Sequence, residues 1–272
     1  MSGCGERLLS VVRGVLTISL AIGMSANAKA AEIAVYAAGS LRAPLADVAR
    51  AFEAQSGDTV TLTFGASGLL RDRIAKGEHA DVFASANMEH PQSLAAAGWT
   101  SRVERFARNS MCILAGSSVR VSTETALAAM LASNVKVGTS TPKADPSGDY
   151  AWEIFRKADV MRPGAFAILS KKALQLTGGP QSPPLPAERN VYATLVANGD
   201  ADVFVTYCTN AELARREEPS LRVVKLPDAL QVGADYGIAV RNDGSPPAQR
   251  FLAFVLSAEG QWRLVAYGFD PR

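Results

Sequence analysis

The strongest constraint on the fold is the regular alternation of short apolar runs with segments of helical periodicity. Apolar runs of strand length lie at 32–38, 59–64, 81–86, 110–115, 135–140, 202–207 and 221–226. Helices are predicted between them at 41–57, 69–77, 91–99, 123–133, 148–158 and 191–198. Such alternation predicts an α/β protein with mainly parallel sheets flanked by helices.

Two segments repeat one plan, which indicates two halves of similar construction. Residues 76–86 and 198–207 both run from a helix end through a glycine into Ala-Asp-Val-Phe and a strand. Chance repetition of a common strand–helix theme is the alternative, because the echo is short. A strand, "YGIAVRN" (236–242), and the helical segment at 248–269 can return to complete the first half. We therefore expect two lobes, 31–110 plus 236–272 and 111–235, joined by crossings near 107–111 and 228–236.

The first thirty residues have the order of a secretory signal peptide. Arg7 and Arg13 precede an apolar run, and an Ala-Lys-Ala motif at 28–30 follows it. The apolar run is too short to span a membrane. We expect residues 1–30 to be a cleaved leader and the mature protein to be periplasmic. A buried amphipathic helix is the alternative interpretation.

Charge and cysteine content narrow the classes of partner. The leader carries three of the 28 Lys and Arg residues and one of the 26 Asp and Glu residues, so the remaining chain is neutral. A neutral chain gives no reason to expect nucleic acid or an anionic membrane as a partner.

The cysteines beyond the leader, Cys112 and Cys208, can pair in an exported protein. Two buried apolar thiols are the alternative.

Two early strands end in turns of small residues that each carry one serine. Ser40 lies in "YAAGSL" (36–41) and Ser67 in "TFGASGLL" (63–70). Capping of the following helix is the plain interpretation of such a serine. The small neighbours, however, leave the backbone amides open, and a helix N-terminus with open amides and a hydroxyl binds anions. Because these strands end at one sheet edge, we predict that both serines face one cleft.

These two turns belong to a larger set of motifs that resembles a known family. The other motifs are "GEHADVFASAN" (77–87), "DPSGDYA" (145–151), "RNVYATLVANGDADVFVTY" (189–207) and "YGF" (267–269). Together they resemble the periplasmic molybdate-binding proteins, over nearly all of 32–270. The resemblance implies a type II periplasmic binding protein fold, in which two lobes close on a tetrahedral oxyanion. It also implies a monomer that delivers molybdate or tungstate to an ABC transporter permease, with no cofactor and no protein-ligated metal.

The resemblance also implies a set of ligand-binding residues. The matching positions are Ser40, Ser67, Ser147, Val191 and Tyr207. In the family, two serines, two backbone amides and a tyrosine hydroxyl hold the oxyanion. The amides would come from Ser147 and Val191, and both are expected to be free because each residue lies at the start of a predicted helix.

Two features depart from the family's pattern. The proline-rich and glycine-rich loop at 177–190 is longer than usual. Asp145 lies two residues before Ser147, and a carboxylate close to a dianion would repel it.

A site made only of hydrogen-bond donors suits a fully deprotonated dianion. We therefore expect molybdate and tungstate to bind alike, sulfate to bind more weakly because it is smaller, and protonated phosphate to be rejected.

The alternatives are a hydrolase and a receptor for another solute. The segment "GASG" (65–68) fails the nucleophile pattern G-x-S-x-G because Leu69 follows Gly68. Both histidines, His79 and His90, lie just downstream of Ser67, an unsuitable order for a triad in this topology, so we expect no enzyme. A receptor of the same fold for sulfate, phosphate or a small organic acid is the closer alternative.

Overall fold

The computed structural model describes Met1, residues 30–182 and residues 189–272. The predicted signal peptide lies outside the described residues, except for Met1 and Ala30. Among the described residues, no helix is both long enough and apolar enough to cross a bilayer.

The described chain alternates between strands and helices, and the α/β fold class expected from the sequence is confirmed. The strands are β1 Glu32–Ala38, β2 Thr59–Gly65, β3 Val82–Ser85, β4 Glu104–Ala115, β5 Val137–Ser140, β6 Leu174–Thr177, β7 Val203–Tyr207, β8 Arg222–Lys225, β9 Gly233–Val240 and β10 Asp270–Pro271. The helices are α1 Arg42–Ser56, α2 Ser67–Ala75, α3 Glu89–Ala96, α4 Ala126–Leu131, α5 Pro146–Met161, α6 Ala165–Lys172, α7 Val191–Ala197, α8 Cys208–Glu217, α9 Pro246–Leu256 and α10 Ala258–Ala266.

The strands form two sheets that share β4. In the first sheet the order is β2-β1-β3-β9-β4, with β1 parallel to β2 and β3. In the second the order is β4-β7-β5-β6, with β5 parallel to β6 and β7. Strands β4 and β9 run antiparallel to their neighbours. The pairs β1–β2, β1–β3, β5–β6 and β5–β7 are parallel, as the alternation predicted, whereas β8 and β10 pair with β4 in antiparallel orientation.

The change of sheet takes place inside β4. Its residues up to Ser110 pair with β9, and its residues from Met111 onward pair with β7. The chain returns to the first sheet when β9 begins at Gly233. The lobes 31–110 with 236–272 and 111–235 stay a prediction; the first change of sheet coincides with the boundary at 110–111, and the return at Gly233 precedes 236.

The buried faces of both sheets are apolar. Ile33 and Val35 of β1 are fully buried, as are Val203 and Val205 of β7. Burial of a side chain of this size contributes about 1.5–3 kcal/mol to stability. The core therefore follows from the same apolar runs that predicted the strands.

A disulfide joins Cys112 of β4 to Cys208, the first residue of α8, with the two Cα atoms 4.8 Å apart. The alternative of two free buried thiols is therefore wrong. The bond fastens the start of α8 to the strand shared by both sheets. Since Cys208 directly follows Tyr207, the bond also anchors the end of β7.

Candidate functional site

A cavity of about 640 Å³ lies where strands of both sheets end. The last residues of β2 and β7 line it, and so do the residues that follow β1 and β3. The predicted site residues that line the cavity are Ser40, Ser67, Val191 and Tyr207. The structure therefore brings together four of the five predicted positions, two from each half of the chain.

Ser40 lies in a short turn of 3₁₀ helix, Gly39–Leu41, directly after β1. Its hydroxyl is hydrogen-bonded to the hydroxyl of Tyr236 on β9, at 3.0 Å. No side chain caps this turn or the start of α1. Capping therefore does not explain this serine, which lies at the cavity with its hydroxyl held by a tyrosine.

Ser67 is the first residue of α2 and is buried. Its Oγ accepts a hydrogen bond from the backbone N–H of Ala86 at 3.1 Å, and it does not cap α2. This contact uses an oxygen lone pair, so the hydroxyl proton is still able to point into the cavity. The residue that follows β3 thus positions Ser67 as a donor.

Gly68 fixes the approach of this turn to the second half of the chain. Its N–H donates to the carbonyl of Ala144 at 2.8 Å. A Cβ at this position would lie 2.4 Å from the carbonyl oxygen of Lys143, so only glycine fits. The serine turn and the segment before α5 are therefore in direct backbone contact.

Ser147 is placed differently from the expectation. Its N–H donates to Oδ1 of Asp145 at 3.0 Å, so the prediction of a free amide is wrong. Asp145 is the N-cap of α5, a position where an aspartate is strongly favoured, and Pro146 follows it. Asp145 lines the cavity and Ser147 does not. Binding of an oxyanion by the Ser147 amide stays a prediction and requires Asp145 to release this hydrogen bond.

Val191 begins α7, and its environment matches the expectation. Asn190 is the N-cap, and its side chain accepts from the amides of Tyr192 and Ala193 at 3.0 and 3.1 Å. The cap leaves out the amide of Val191, which lines the cavity. No described residue accepts a hydrogen bond from this amide, and its binding to a ligand stays a prediction.

Tyr207 ends β7 and is almost completely buried. Its hydroxyl is 3.5 Å from the carbonyl oxygen of Ala86, and the hydroxyl of Tyr150 is 3.4 Å from the same oxygen. Both tyrosines thus reach from the second half of the chain to the end of β3. Burial raises the pKa of Tyr207 well above its ordinary value, so its phenol is neutral and can donate.

Asp145 is a half-buried carboxylate at the cavity wall. Burial raises its pKa to about 6, against the opposing effect of the Ser147 amide that donates to it. The sequence predicts that Asp145 repels a dianion. Its place at the cavity wall adds an acceptor to a site expected to hold donors only. Rejection of phosphate by its proton therefore loses its basis, which leaves ion size as the means of discrimination.

Two arginines at the cavity were missed from the sequence. The guanidinium of Arg42 lies 4.9 Å from the ring centre of Phe64, and Arg189 lies 3.5 Å from the carboxylate of Glu217. Each directly adjoins a motif of the site, since Arg42 follows "YAAGSL" and Arg189 begins "RNVYAT". Glu217 offsets the charge of Arg189, so Arg42 is the cation of this pair that has no carboxylate partner among the described residues.

A hydrolytic site has little support in this geometry. Neither His79 nor His90 lines the described cavity. His90 is buried on α3, where burial and nearby Arg71 lower its pKa to about 4. Within the described ranges no group of His, Cys, Asp and Glu side chains is arranged to hold a metal ion.

Comparison with known proteins agrees with this geometry. The sequence matches the family of bacterial extracellular solute-binding proteins over residues 33–270. Protein PM1146 of Pasteurella multocida is 36% identical over 206 residues, which cover 75% of this chain and 85% of the relative. The molybdate-binding protein ModA of Mycobacterium tuberculosis is 28% identical and covers 88% and 85%. The sulfate-binding protein SubI of that organism has a similar fold, with a TM-score of 0.73 at 19% identity over 89% of this chain and 87% of that one.

Proposed function

Because the chain belongs to the family of bacterial extracellular solute-binding proteins, we propose that its cavity captures molybdate or tungstate for an ABC importer. The family membership itself makes the chain a solute-binding receptor of the ABC transporter type and implies export to the periplasm. The identity of the ion, its release to a permease and cleavage of the leader at 1–30 are the proposal's own content. Binding and delivery require no chemical step.

The observation that carries this proposal is the convergence of hydrogen-bond donors on one cavity. Ser40 and Ser67 offer hydroxyls from one half of the chain, and the Val191 amide and the Tyr207 hydroxyl face them from the other. All four donors are uncharged, so release of the ion does not require its separation from a positively charged group among them. This suits a receptor, which must release its ligand as well as bind it.

The energetics are consistent with reversible binding. A hydrogen bond to a charged group contributes about 1.5–3 kcal/mol. Four or five such bonds sum to about 6–15 kcal/mol without costs, and about 12 kcal/mol already corresponds to a nanomolar Kd. Dehydration of the ion and ordering of the two lobes offset much of this sum. Net affinity therefore depends on how well the donors are positioned before the ion arrives.

Lobe closure supplies part of that positioning in the proposed cycle. The Gly68–Ala144 hydrogen bond and the Tyr207 contact with Ala86 both join the two halves beside the cavity. We infer that these contacts form when the lobes close and break when they open. The Tyr207 hydroxyl, held only at 3.5 Å, would turn from Ala86 to the ligand at little cost.

Ligand-induced stabilisation against heat tests the proposal with few assumptions. A ligand that binds only the folded protein raises its melting temperature, and the rise grows with the logarithm of the ligand concentration divided by Kd. We expect molybdate and tungstate to stabilise the protein more than sulfate and phosphate at equal concentration. A protein stabilised by none of the four ions would refute the proposal, and turnover of an activated ester would favour a hydrolase instead.

The volume of the cavity favours one second candidate, a receptor for an organic phosphate. A volume of about 640 Å³ lies in the range of sites for organic ligands, ~300–1,000 Å³, and far exceeds a five-atom ion. Arg42 and Arg189 at the same cavity suit a larger anion. In that case a phosphorylated organic acid would stabilise the protein more than molybdate does.

A further inference from the structure

Asp145 is an unusual residue for the wall of an anion site. It lines the cavity beside the candidate donors, and it caps α5 through the Ser147 amide at 3.0 Å. Within the described residues no lysine or arginine forms an ion pair with it, whereas Glu217 of the same cavity pairs with Arg189. The proposed function leaves this carboxylate without a role, and an ionised carboxylate next to a dianion is costly.

The backbone around Asp145 holds it at the meeting point of the two halves. The preceding residue, Ala144, accepts the hydrogen bond from Gly68, which directly follows Ser67. On the other side, a Cβ on Gly178 would lie 2.5 Å from Oδ2 of Asp145. Gly178 has a φ of 72°, a conformation that also favours glycine. The carboxylate is therefore packed between the serine turn and the glycine turn, with little room to move away from a ligand.

The electrostatic surroundings of Asp145 do not favour its ionised form. The titratable groups that act on it are Asp149 on its own helix, Tyr192 on α7 and Tyr207 on β7. None of these three groups carries a positive charge that would stabilise an ionised Asp145. The polar groups close to its carboxylate are the Ser147 amide and the Ser140 hydroxyl. Burial has already raised its pKa to about 6. A bound dianion would add two negative charges and raise that pKa further.

We propose that Asp145 is a ligand-contacting residue that takes up one proton when an oxyanion binds and then donates a hydrogen bond to it. This inference rests on the proposed function. The proton comes from solvent when the ligand is molybdate, and it converts the carboxylate to a carboxylic acid with one O–H donor. Proton uptake turns the Asp145 carboxylate, which has no described cationic partner, into a donor, whereas the other carboxylate of the cavity, Glu217, pairs with Arg189. Affinity is then linked to pH.

The direction of the pH dependence follows from the pKa of Asp145 in the free protein and its higher pKa in the complex with the ion. Below about pH 6 Asp145 is protonated before the ion arrives, so binding takes up no proton there. Above that pH each bound ion must draw one proton from solvent, and affinity falls by about tenfold per pH unit until the pKa of the complex is reached.

Titration calorimetry with molybdate in two buffers of different protonation enthalpy, both at about pH 7.5, measures the uptake directly. We expect close to one proton per bound ion. Asp145→Asn keeps an N-cap that accepts from Ser147, because asparagine caps helices as well as aspartate does. This variant is expected to take up no proton and to bind molybdate at about pH 8 up to about a hundredfold more tightly than the parent.

Asp149→Asn is the matched control. Asp149 lies on the same helix, accepts from the Lys143 amide at 2.8 Å and does not line the 640 Å³ cavity, so its variant should retain the proton uptake. Equal heats in both buffers for the parent, or unchanged uptake in Asp145→Asn, would overturn the inference. Either result still leaves molybdate bound, whereas failure of the proposed function would show as no binding of any oxyanion.

Discussion

Among single residues, Ser40 and Ser67 are positioned at the cavity by hydrogen bonds to their neighbours and not by helix capping. Ser40 is bonded to Tyr236 and Ser67 to the backbone of Ala86, and neither caps a helix. Ser40→Ala and Ser67→Ala each remove a donor to a charged ligand. We expect each to weaken oxyanion binding by about 1.5–3 kcal/mol, which is roughly tenfold to a hundredfold, as measured by titration calorimetry.

Ser101→Ala is the control for these variants, since Ser101 is exposed and does not line the described cavity. Melting temperatures without ligand separate loss of binding from loss of folding. If both serine variants bind oxyanions as the parent does, the donors of the site lie elsewhere.

Part of the site follows from local sequence motifs, and part depends on residues that are distant in the chain. The serine turns and the Val191 amide are local features, so their motifs predicted them. The occupied amide of Ser147 was also predictable, because an aspartate before a proline at a helix start is a strong N-cap signal. The partners of Ser40 and Ser67 were not, since Tyr236 and Ala86 are 196 and 19 residues away in the chain.

At the scale of secondary-structure elements, the contact of α2 with the segment before α5 joins the two halves. Gly68→Ala would put a methyl group 2.4 Å from the Lys143 carbonyl, so this contact cannot form without movement. We expect oxyanion affinity to fall at least tenfold, since a displaced donor loses most of its hydrogen bond, while circular dichroism shows an intact fold. Gly116→Ala is the control, because a Cβ there meets its nearest atom at 3.4 Å. Parental affinity in Gly68→Ala would contradict the account.

The disulfide between β4 and α8 is a second test at this scale. Cys112→Ala with Cys208→Ala opens a loop of 96 residues and should lower the free energy of unfolding by about 2–5 kcal/mol. Denaturant titration measures the loss. The parent under reducing conditions should match the double variant, and equal stability of variant and oxidised parent would show that the cysteines are not paired.

Element by element, short strands and amphipathic helices were predictable because each carries its own apolar pattern. Helix α8 was missed, since "CTNAELARRE" is polar on all but one narrow face. The first half of β4 was missed because "ERFARN" combines exposed charges with buried Phe106 and Asn109. Pairing with β9, remote in sequence, makes this polar segment a strand, and only the tertiary structure supplies that pairing.

For the molecule as a whole, the sequence predicts export to the periplasm with removal of the leader. The order of charged, apolar and small residues in 1–30 predicts cleavage near Ala31. Intact mass of the protein recovered from the periplasm should therefore lack the leader. Recovery of a cytoplasmic protein that retains Met1 would contradict the proposal.

Selectivity among oxyanions is the whole-molecule property on which the proposed function depends. Donors from both halves must reach the ion at once, so their separation in the closed protein sets the size of ion that fits. Sulfate and phosphate are smaller than molybdate, and hydrogen bonds to them would be stretched and weak. Molybdate and tungstate, which are alike in size and charge, should not be distinguished.

Competition calorimetry at neutral pH, with molybdate, tungstate, sulfate and phosphate displacing one another, tests the central claim most directly. We expect molybdate and tungstate to bind equally and most tightly, with sulfate and phosphate both much weaker. Phosphate that binds as tightly as molybdate, and loses that affinity in Asp145→Ala, would contradict it and identify a phosphate receptor.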